Sequence, residues 1–241
     1  IPCDRPPHLW GAYSEYLYGA PGARVHHVDE DVAAQAACLT SVLANGVRWV
    51  RTKGRGQIGE PILVLGAGVQ ALATVIVAKE AGLAPIVVVA RGRHPNKLEL
   101  AREYGADVVL DVDRSDVSGA LQEALGGRDL GLAVECTGAE RMIAVGIEAL
   151  GPFGRLVQAG TRGGSPAAVD IDGLVFKEIE LIGGLGQAHD TELAAAIVNS
   201  GRYPIEAMVT HTFPLGQAEE ALTLFMQGRD GAIHVALDPT R

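Results

Sequence analysis

Ile62-Leu63-Val64-Leu65-Gly66-Ala67-Gly68-Val69-Gln70-Ala71 is the stretch on which the reading of this chain turns. Four consecutive apolar residues, with no alternation of polar and apolar positions, describe a short strand buried on both faces. The pattern Gly66-x-Gly68-x-x-Ala71 then opens a helix that runs from Val69 to Ala81 and is stopped by Gly82. Each small residue has its own reason in such a turn. The first glycine makes the tight bend, the second lets backbone approach a pyrophosphate, and the third position lets helix pack on strand. The phosphates would sit on the free N–H groups at the positive end of the helix. A glycine pattern alone is weak, but here the strand before it and the helix after it are both present. The plainer reading is a tight turn in a sheet that binds nothing.

Outward from this turn the alternation repeats. Apolar runs at 86–89, 108–110, 130–135, 155–159 and 179–182 read as strands, and 96–104, 115–125, 139–149 and 190–199 as helices. Continuous apolar strands alternating with helices predict an α/β fold: a Rossmann-type, doubly wound, parallel six-stranded sheet covered on both faces. Upstream, residues 1–31 read as two short strands and turns. The acidic Asp29-Glu30-Asp31 precedes an Ala-rich helix at 32–44, apolar nearly all round and therefore expected to be buried. Residues 48–59 are polar and glycine-rich and read as a surface connection. Downstream, a strand at 209–213, an amphipathic helix at 214–228 and a strand at 232–237 close the chain.

The residue ending the second strand decides which dinucleotide fits. A carboxylate about 20 residues beyond the first glycine binds ribose hydroxyls, as NAD sites prefer. Here Ala90 is followed by Arg91, Gly92, Arg93 and His94. No acid would repel a 2′-phosphate, and two guanidiniums could pair with one. NADP is therefore expected over NAD, with NAD possible.

Composition narrows the rest. The chain has 241 residues and a net charge of −9, with its arginines scattered, so no basic groove for nucleic acid is expected. No apolar run reaches the roughly 18 residues of a membrane span. Three cysteines, Cys3, Cys38 and Cys136, stand far apart. They are too few for a disulfide framework or a four-cysteine zinc lobe, and they suit a cytoplasmic protein. His26 and His27 are neighbours on an expected strand and point to opposite faces, and the other histidines stand alone, so no metal site is expected. The chain opens on Ile1 rather than methionine, and its first residue is not expected to be the start of the gene product.

Across nearly its whole length the chain resembles the medium-chain dehydrogenase/reductase family, the zinc-type alcohol dehydrogenases. The resemblance rests on Gly11-Ala12-Tyr13-Ser14-Glu15-Tyr16, the Leu63–Gly68 turn, and Lys97-Leu98-Glu99-Leu100-Ala101 with Gly105-Ala106-Asp107. It continues with Glu135-Cys136-Thr137-Gly138, Val175-Phe176-Lys177-Glu178, Gly184-Leu185-Gly186, Thr212-Phe213-Pro214-Leu215 and Ala218-Glu219-Glu220-Ala221. Each is weak alone; their order and spacing together are specific. The resemblance implies an NAD(P)-dependent oxidoreductase moving hydride between nicotinamide and an alcohol or carbonyl substrate. It also implies a domain plan: a GroES-like remnant at 1–31, the dinucleotide-binding domain at 32–207, and a return to the catalytic domain at 208–241.

The same resemblance assigns residues. Gly66, Gly68, Val69 and Gln70 match the pyrophosphate turn, and Arg91, Arg93 and Lys97 the adenosine ribose or its phosphate. Cys136 and Thr137 lie beside the middle of the cofactor. Ala159, Gly160, Thr161, Leu185 and Gly186 lie around the nicotinamide. The family's third zinc ligand falls on Cys38 or Ser41, depending on the direction of counting, and Asn45 falls near the nicotinamide. The zinc would polarise the substrate oxygen, but the family's Gly-His-Glu motif and its cysteine lobe are missing. Most of the N-terminal GroES-like domain is therefore expected to be absent, and zinc ligands with it. A homodimer is expected through the 179–186 edge strand, since isologous pairing would cover it. The alternative is a truncated, catalytically silent dinucleotide-binding module.

Overall fold

A computed structural model describes residues 6, 8, 11–113, 116–186 and 189–240. Two helices, α1 (Ala34–Ala37) and α2 (Thr40–Val47), come first, and the second continues as a π-helical turn over Arg48–Lys53. The alternating part follows: β1 (Ile62–Leu65), α3 (Val69–Glu80), β2 (Ile86–Ala90), α4 (Pro95–Glu103), β3 (Val108–Asp111), α5 (Val117–Leu125) and β4 (Leu132–Glu135). Then come α6 (Glu140–Ala149), β5 (Arg155–Gln158), α7 (Ile171–Phe176), β6 (Glu180–Gly183) and α8 (Thr191–Asn199). The chain closes with β7 (Val209–Pro214), α9 (Ala218–Gln227) and β8 (His234–Asp238).

The first six strands form one sheet in the order β3-β2-β1-β4-β5-β6, every neighbouring pair parallel. This is the doubly wound order in which the strand sequence reverses between β1 and β4, and ligands bind in the crevice outside the strand ends at that reversal. The strands are apolar throughout because both faces are covered. Ile62, Val64, Ile86, Val88, Val134 and Val157 face α2 and α3. Leu63, Leu65, Val87, Val89, Ala133 and Leu156 face α5 and α6. On the first face Gly46 brings α2 within van der Waals reach of the α3 backbone, where a Cβ would lie 3.0 Å from the Ala73 carbonyl. Truncating a fully buried anchor of this layer such as Ile76 removes about 2–5 kcal/mol of stability.

Several local expectations change. Of residues 48–59, only the part after Lys53 is a largely exposed connection. Arg48–Lys53 continues the helix, and Trp49 and Val50 are buried in the core; their apolar weight is masked in the sequence by the surrounding arginines and glycines. The Ala-rich helix breaks after Ala37; α1 buries only Ala36, whereas α2 is mostly buried. Among the described residues of 1–31 no strand forms. Helix α7, unread in the sequence, buries none of its residues and is capped by Asp170, whose carboxylate accepts the Gly173 N–H at 3.0 Å. Strands β7 and β8 pair with one another in a separate two-stranded sheet.

Candidate functional site

Gly66, at the end of β1, has φ +118°, and a Cβ there would sit 2.9 Å from the Thr137 methyl group. Both geometry and space therefore demand glycine. Gly68 differs. Its φ of −79° and ψ of 176° suit any residue, and a Cβ would meet nothing within 4 Å. It is the N-cap of α3, whose first turn has neither a side-chain cap nor an acidic residue. The first N–H groups of a helix have no intrahelical partner, so this end presents free donors and positive potential. In front of it opens a cavity of about 360 Å³ lined by Gly66, Gly68, Ala90, Arg93, Lys97 and Thr137.

The β2 side of this cleft is cationic. Arg91, Arg93, His94, Lys97 and Arg141 all line it. Arg91 and Arg141 share the Asp113 carboxylate, at 3.9 and 3.2 Å. Among the described residues no ion pair forms on Arg93 or Lys97. Burial, followed by the charge of Arg93, pushes the Lys97 ammonium down from its ordinary value. Burial, followed by the charges of Lys97 and Arg93, pushes His94 down. Three basic groups therefore crowd one another, and an anion would relieve their repulsion. The loop is pinned beneath by Asp111, which accepts the Gly92 N–H at 2.9 Å. A Cβ on Gly92 would fall 2.1 Å from that carboxylate, so any larger residue would displace it.

The middle of the cleft is built on Glu135, at the end of β4 and fully buried. Its carboxylate accepts the N–H groups of Thr137 (2.7 Å) and Gly138 (2.8 Å), the Thr137 hydroxyl, and the Gln158 amide at 2.6 Å. The Gln158 amide donates also to the Gly160 carbonyl at 2.9 Å. The loops after β4 and β5 touch backbone to backbone; a Cβ on Gly160 would lie 2.0 Å from the Gly138 nitrogen, and one on Gly138 2.2 Å from the Thr161 carbonyl. Cys136 packs below this point, 4.0 Å from the Thr74 hydroxyl. Burial, with the Glu135 charge added, pushes its thiol up to about 12.

The remaining expected residues divide in two. Val69 and Gln70 form the first turn of α3, and the Asn45 amide donates to the Gln70 side chain at 3.1 Å. Asn45 also lies against Gly186, whose Cβ would come 2.8 Å from the Asn45 carbonyl oxygen. Ala159, Gly160 and Thr161 follow β5, with Ala159 and Gly160 both donating to the Glu135 backbone carbonyl at 2.8 Å. Leu185 follows β6 and stands 89% exposed. Cys38 and Ser41, by contrast, are exposed. Cys38 donates its thiol to the Gln35 carbonyl at 3.2 Å. Among the described residues no three His, Cys, Asp or Glu side chains converge on a point that could hold a metal ion. The described residues therefore do not form the zinc site of the family. Sequence reasoning missed His94, Val112, Arg141, Met142 and Gly228 on the cleft wall; Arg141 is signalled only by its place in the first turn of the helix after β4.

A doubly wound sheet with a glycine turn and an uncapped helix at its switch point defines a dinucleotide-binding fold of the Rossmann class. The sequence model of the zinc-binding dehydrogenases matches residues 71–200. A Mycobacterium tuberculosis protein named "Probable alcohol dehydrogenase adh" is 37% identical over 99% of this chain and 67% of its own length. The solved structure of an alcohol dehydrogenase from Thermotoga maritima superposes with a TM-score of 0.85 at 27% identity, over 98% of this chain and 65% of that one. A dehydrogenase structure from Sinorhizobium meliloti bound to NADP superposes with a TM-score of 0.78 at 22% identity, over 88% of this chain and 61% of that one. The chain belongs to the zinc-binding dehydrogenase family, and it spans about two thirds of the length of these relatives.

Proposed function

We propose that this chain is the cofactor-binding part of an NAD(P)-dependent oxidoreductase that moves hydride between nicotinamide and a small alcohol or carbonyl compound. One observation carries the reading. Gly68 is a glycine that the fold does not need, at the place where a pyrophosphate would touch backbone. An open position at an uncapped helix N-terminus, facing a cleft, is explained by a ligand that comes too close for a Cβ.

The adenosine half then lies toward β2. Arg93 and Lys97, free of carboxylate partners among the described residues, support NADP over NAD, with Arg91 adding charge. The nicotinamide half lies over the ends of β4, β5 and β6, among Thr137, Cys136, Ala159, Gly160, Thr161, Leu185, Gly186 and Asn45. The domain plan of 1–31, 32–207 and 208–241 is part of the same reading, supported by the separate β7–β8 sheet. So is a homodimer through the 179–186 edge, supported by the exposed flank of β6. A cytoplasmic setting is supported by free thiols at Cys38 and Cys136. No helix among the described residues is long and apolar enough to cross a membrane.

The test is a fluorescence titration of the chain with NADPH and with NADH. Saturable binding of NADPH, about tenfold or more tighter than NADH, is expected from two charge-assisted contacts to a 2′-phosphate. Equal affinities would refute the NADP preference, and no binding of either would refute the reading itself.

A further inference from the structure

Along the helix formed by α2 and its π-helical continuation, Asn45, Arg48, Trp49 and Thr52 recur at related positions. This i, i+3, i+4, i+7 spacing places them on one face. All four engage partners at the crevice end of the sheet. Asn45 donates to Gln70 in the first turn of α3 and abuts Gly186. Arg48 donates through Nε to the Leu185 carbonyl at 3.1 Å and through Nη1 to Asp190 at 3.3 Å. The buried Trp49 donates its indole N–H to the Gly184 carbonyl at 2.8 Å. Thr52 donates to Asp190 at 2.5 Å. Asp190 is itself 8% exposed.

The segment so gripped, Gly184–Gly186, leaves β6 at the carboxyl ends of the strands. Gly184 is also fixed from below, its N–H donating to the Gln158 carbonyl at 2.8 Å, and a Cβ there would lie 3.0 Å from the Trp49 ring. Yet the side chain that this grip holds in place, Leu185, is almost fully exposed. Several hydrogen bonds therefore hold a leucine where it packs on nothing in the described chain. Packing within the described chain does not call for that; a flat apolar ligand surface beside it would. π-Helical turns of this kind occur frequently at functional sites.

We propose that Asn45, Arg48, Trp49 and Thr52 form a rail that positions the Gly184–Gly186 lip over the nicotinamide half of the dinucleotide, with Arg48 as its principal positioning residue. The inference rests on the dinucleotide reading above. In an open doubly wound sheet the adenosine half occupies the β2 side of the switch point, which leaves the second nucleotide to the β4–β6 side. The rail touches that side alone, apart from Asn45, which links it to the pyrophosphate turn through Gln70.

The test compares two ligands on the full chain: NADPH, and adenosine 2′,5′-bisphosphate, which has no nicotinamide half. Arg48→Met is expected to weaken NADPH about tenfold, as loss of charge-assisted contacts does. It is expected to reduce the fluorescence enhancement of bound NADPH, and to leave the bisphosphate affinity within about twofold. Arg48→Lys, which keeps a donor but not the fork, recovers part of the loss. Thr52→Val, a near-isosteric change that serves should Arg48→Met fail to fold, shows a smaller loss in the same ratio. Parallel weakening of both ligands in these variants, or no weakening of NADPH, overturns the rail. A wild-type chain that binds neither ligand overturns the dinucleotide reading, and the rail with it.

Discussion

The Gln158 amide donates to the Glu135 carboxylate at 2.6 Å, and so ties the ends of β4 and β5 together at the floor of the cleft. The carboxylate has no cation within reach among the described residues; its partners are two backbone N–H groups, a hydroxyl and an amide. A buried anion held by neutral donors depends on every one of them.

Glu135→Gln turns one acceptor oxygen into a donor NH₂ that faces N–H groups. Each buried polar group left without a partner is worth about 1–3 kcal/mol. The variant is expected to lose about 2–4 kcal/mol in urea unfolding, and to bind dinucleotide more weakly because Thr137 and Gly138 lose their anchor. A change below about 0.5 kcal/mol, the size typical of surface substitutions, would show that the carboxylate is not what holds these loops.

Removal of charge at Arg93 and Lys97 together is expected to abolish the preference for NADPH while leaving NADH affinity nearly unchanged. Each lost charge-assisted contact is worth about tenfold. Titration of the double variant with both cofactors checks this. A preference that survives would move 2′-phosphate recognition to Arg91 or Arg141, which Asp113 already engages.

Cys136 is expected to resist alkylation in the folded chain. Its thiol, pushed up to about 12 by burial and by Glu135, holds almost no thiolate near neutral pH. Iodoacetamide at pH 7.5 followed by mass spectrometry should find Cys38 modified and Cys136 untouched until the chain is unfolded. Labelling of both at similar rates in the native state would contradict the packing described here.

The histidines set a pH dependence of known sign. Burial pushes His234 below its ordinary value of 6.5, and burial with the Lys97 and Arg93 charges does the same to His94. Below pH 6.5 the unfolded chain takes up these protons and the folded chain resists them. Stability present above pH 6.5 is therefore lost as pH falls through the folded values. His234→Gln should flatten the fall in melting temperature between pH 7.5 and 5.5. An identical slope in the variant would exclude His234 as a source.

Much of the fold is legible in local sequence, and the reasons are local. Ile62–Leu65 and Ile86–Ala90 read as buried parallel strands because every residue is apolar, and Gly66 and Gly82 mark where the first strand and its helix end. The strand order is not legible in the same way, because the alternation is compatible with more than one doubly wound order. What is illegible is what depends on distant partners. Trp49 and Val50 hide among arginines and glycines, and Arg48, Trp49 and Thr52 meet partners more than 130 residues away. Helix α7 has no buried face to give it a period; its only signal is the Asp170–Gly173 cap. The candidate site divides the same way. Its phosphate turn and basic loop are contiguous motifs, whereas Glu135–Gln158 and Arg141 become a floor and a wall only once the strands are adjacent.

The proposed contact of a dinucleotide pyrophosphate with Gly68 is tested by Gly68→Ala. The added methyl meets open space at an ordinary backbone conformation, so unfolding free energy is expected to change by no more than about 1 kcal/mol. NADPH affinity, measured on the same preparation, is expected to fall about tenfold or more, because the methyl occupies the ligand's place. A Gly68→Ala chain that keeps both its stability and its full affinity for NADPH would contradict the account.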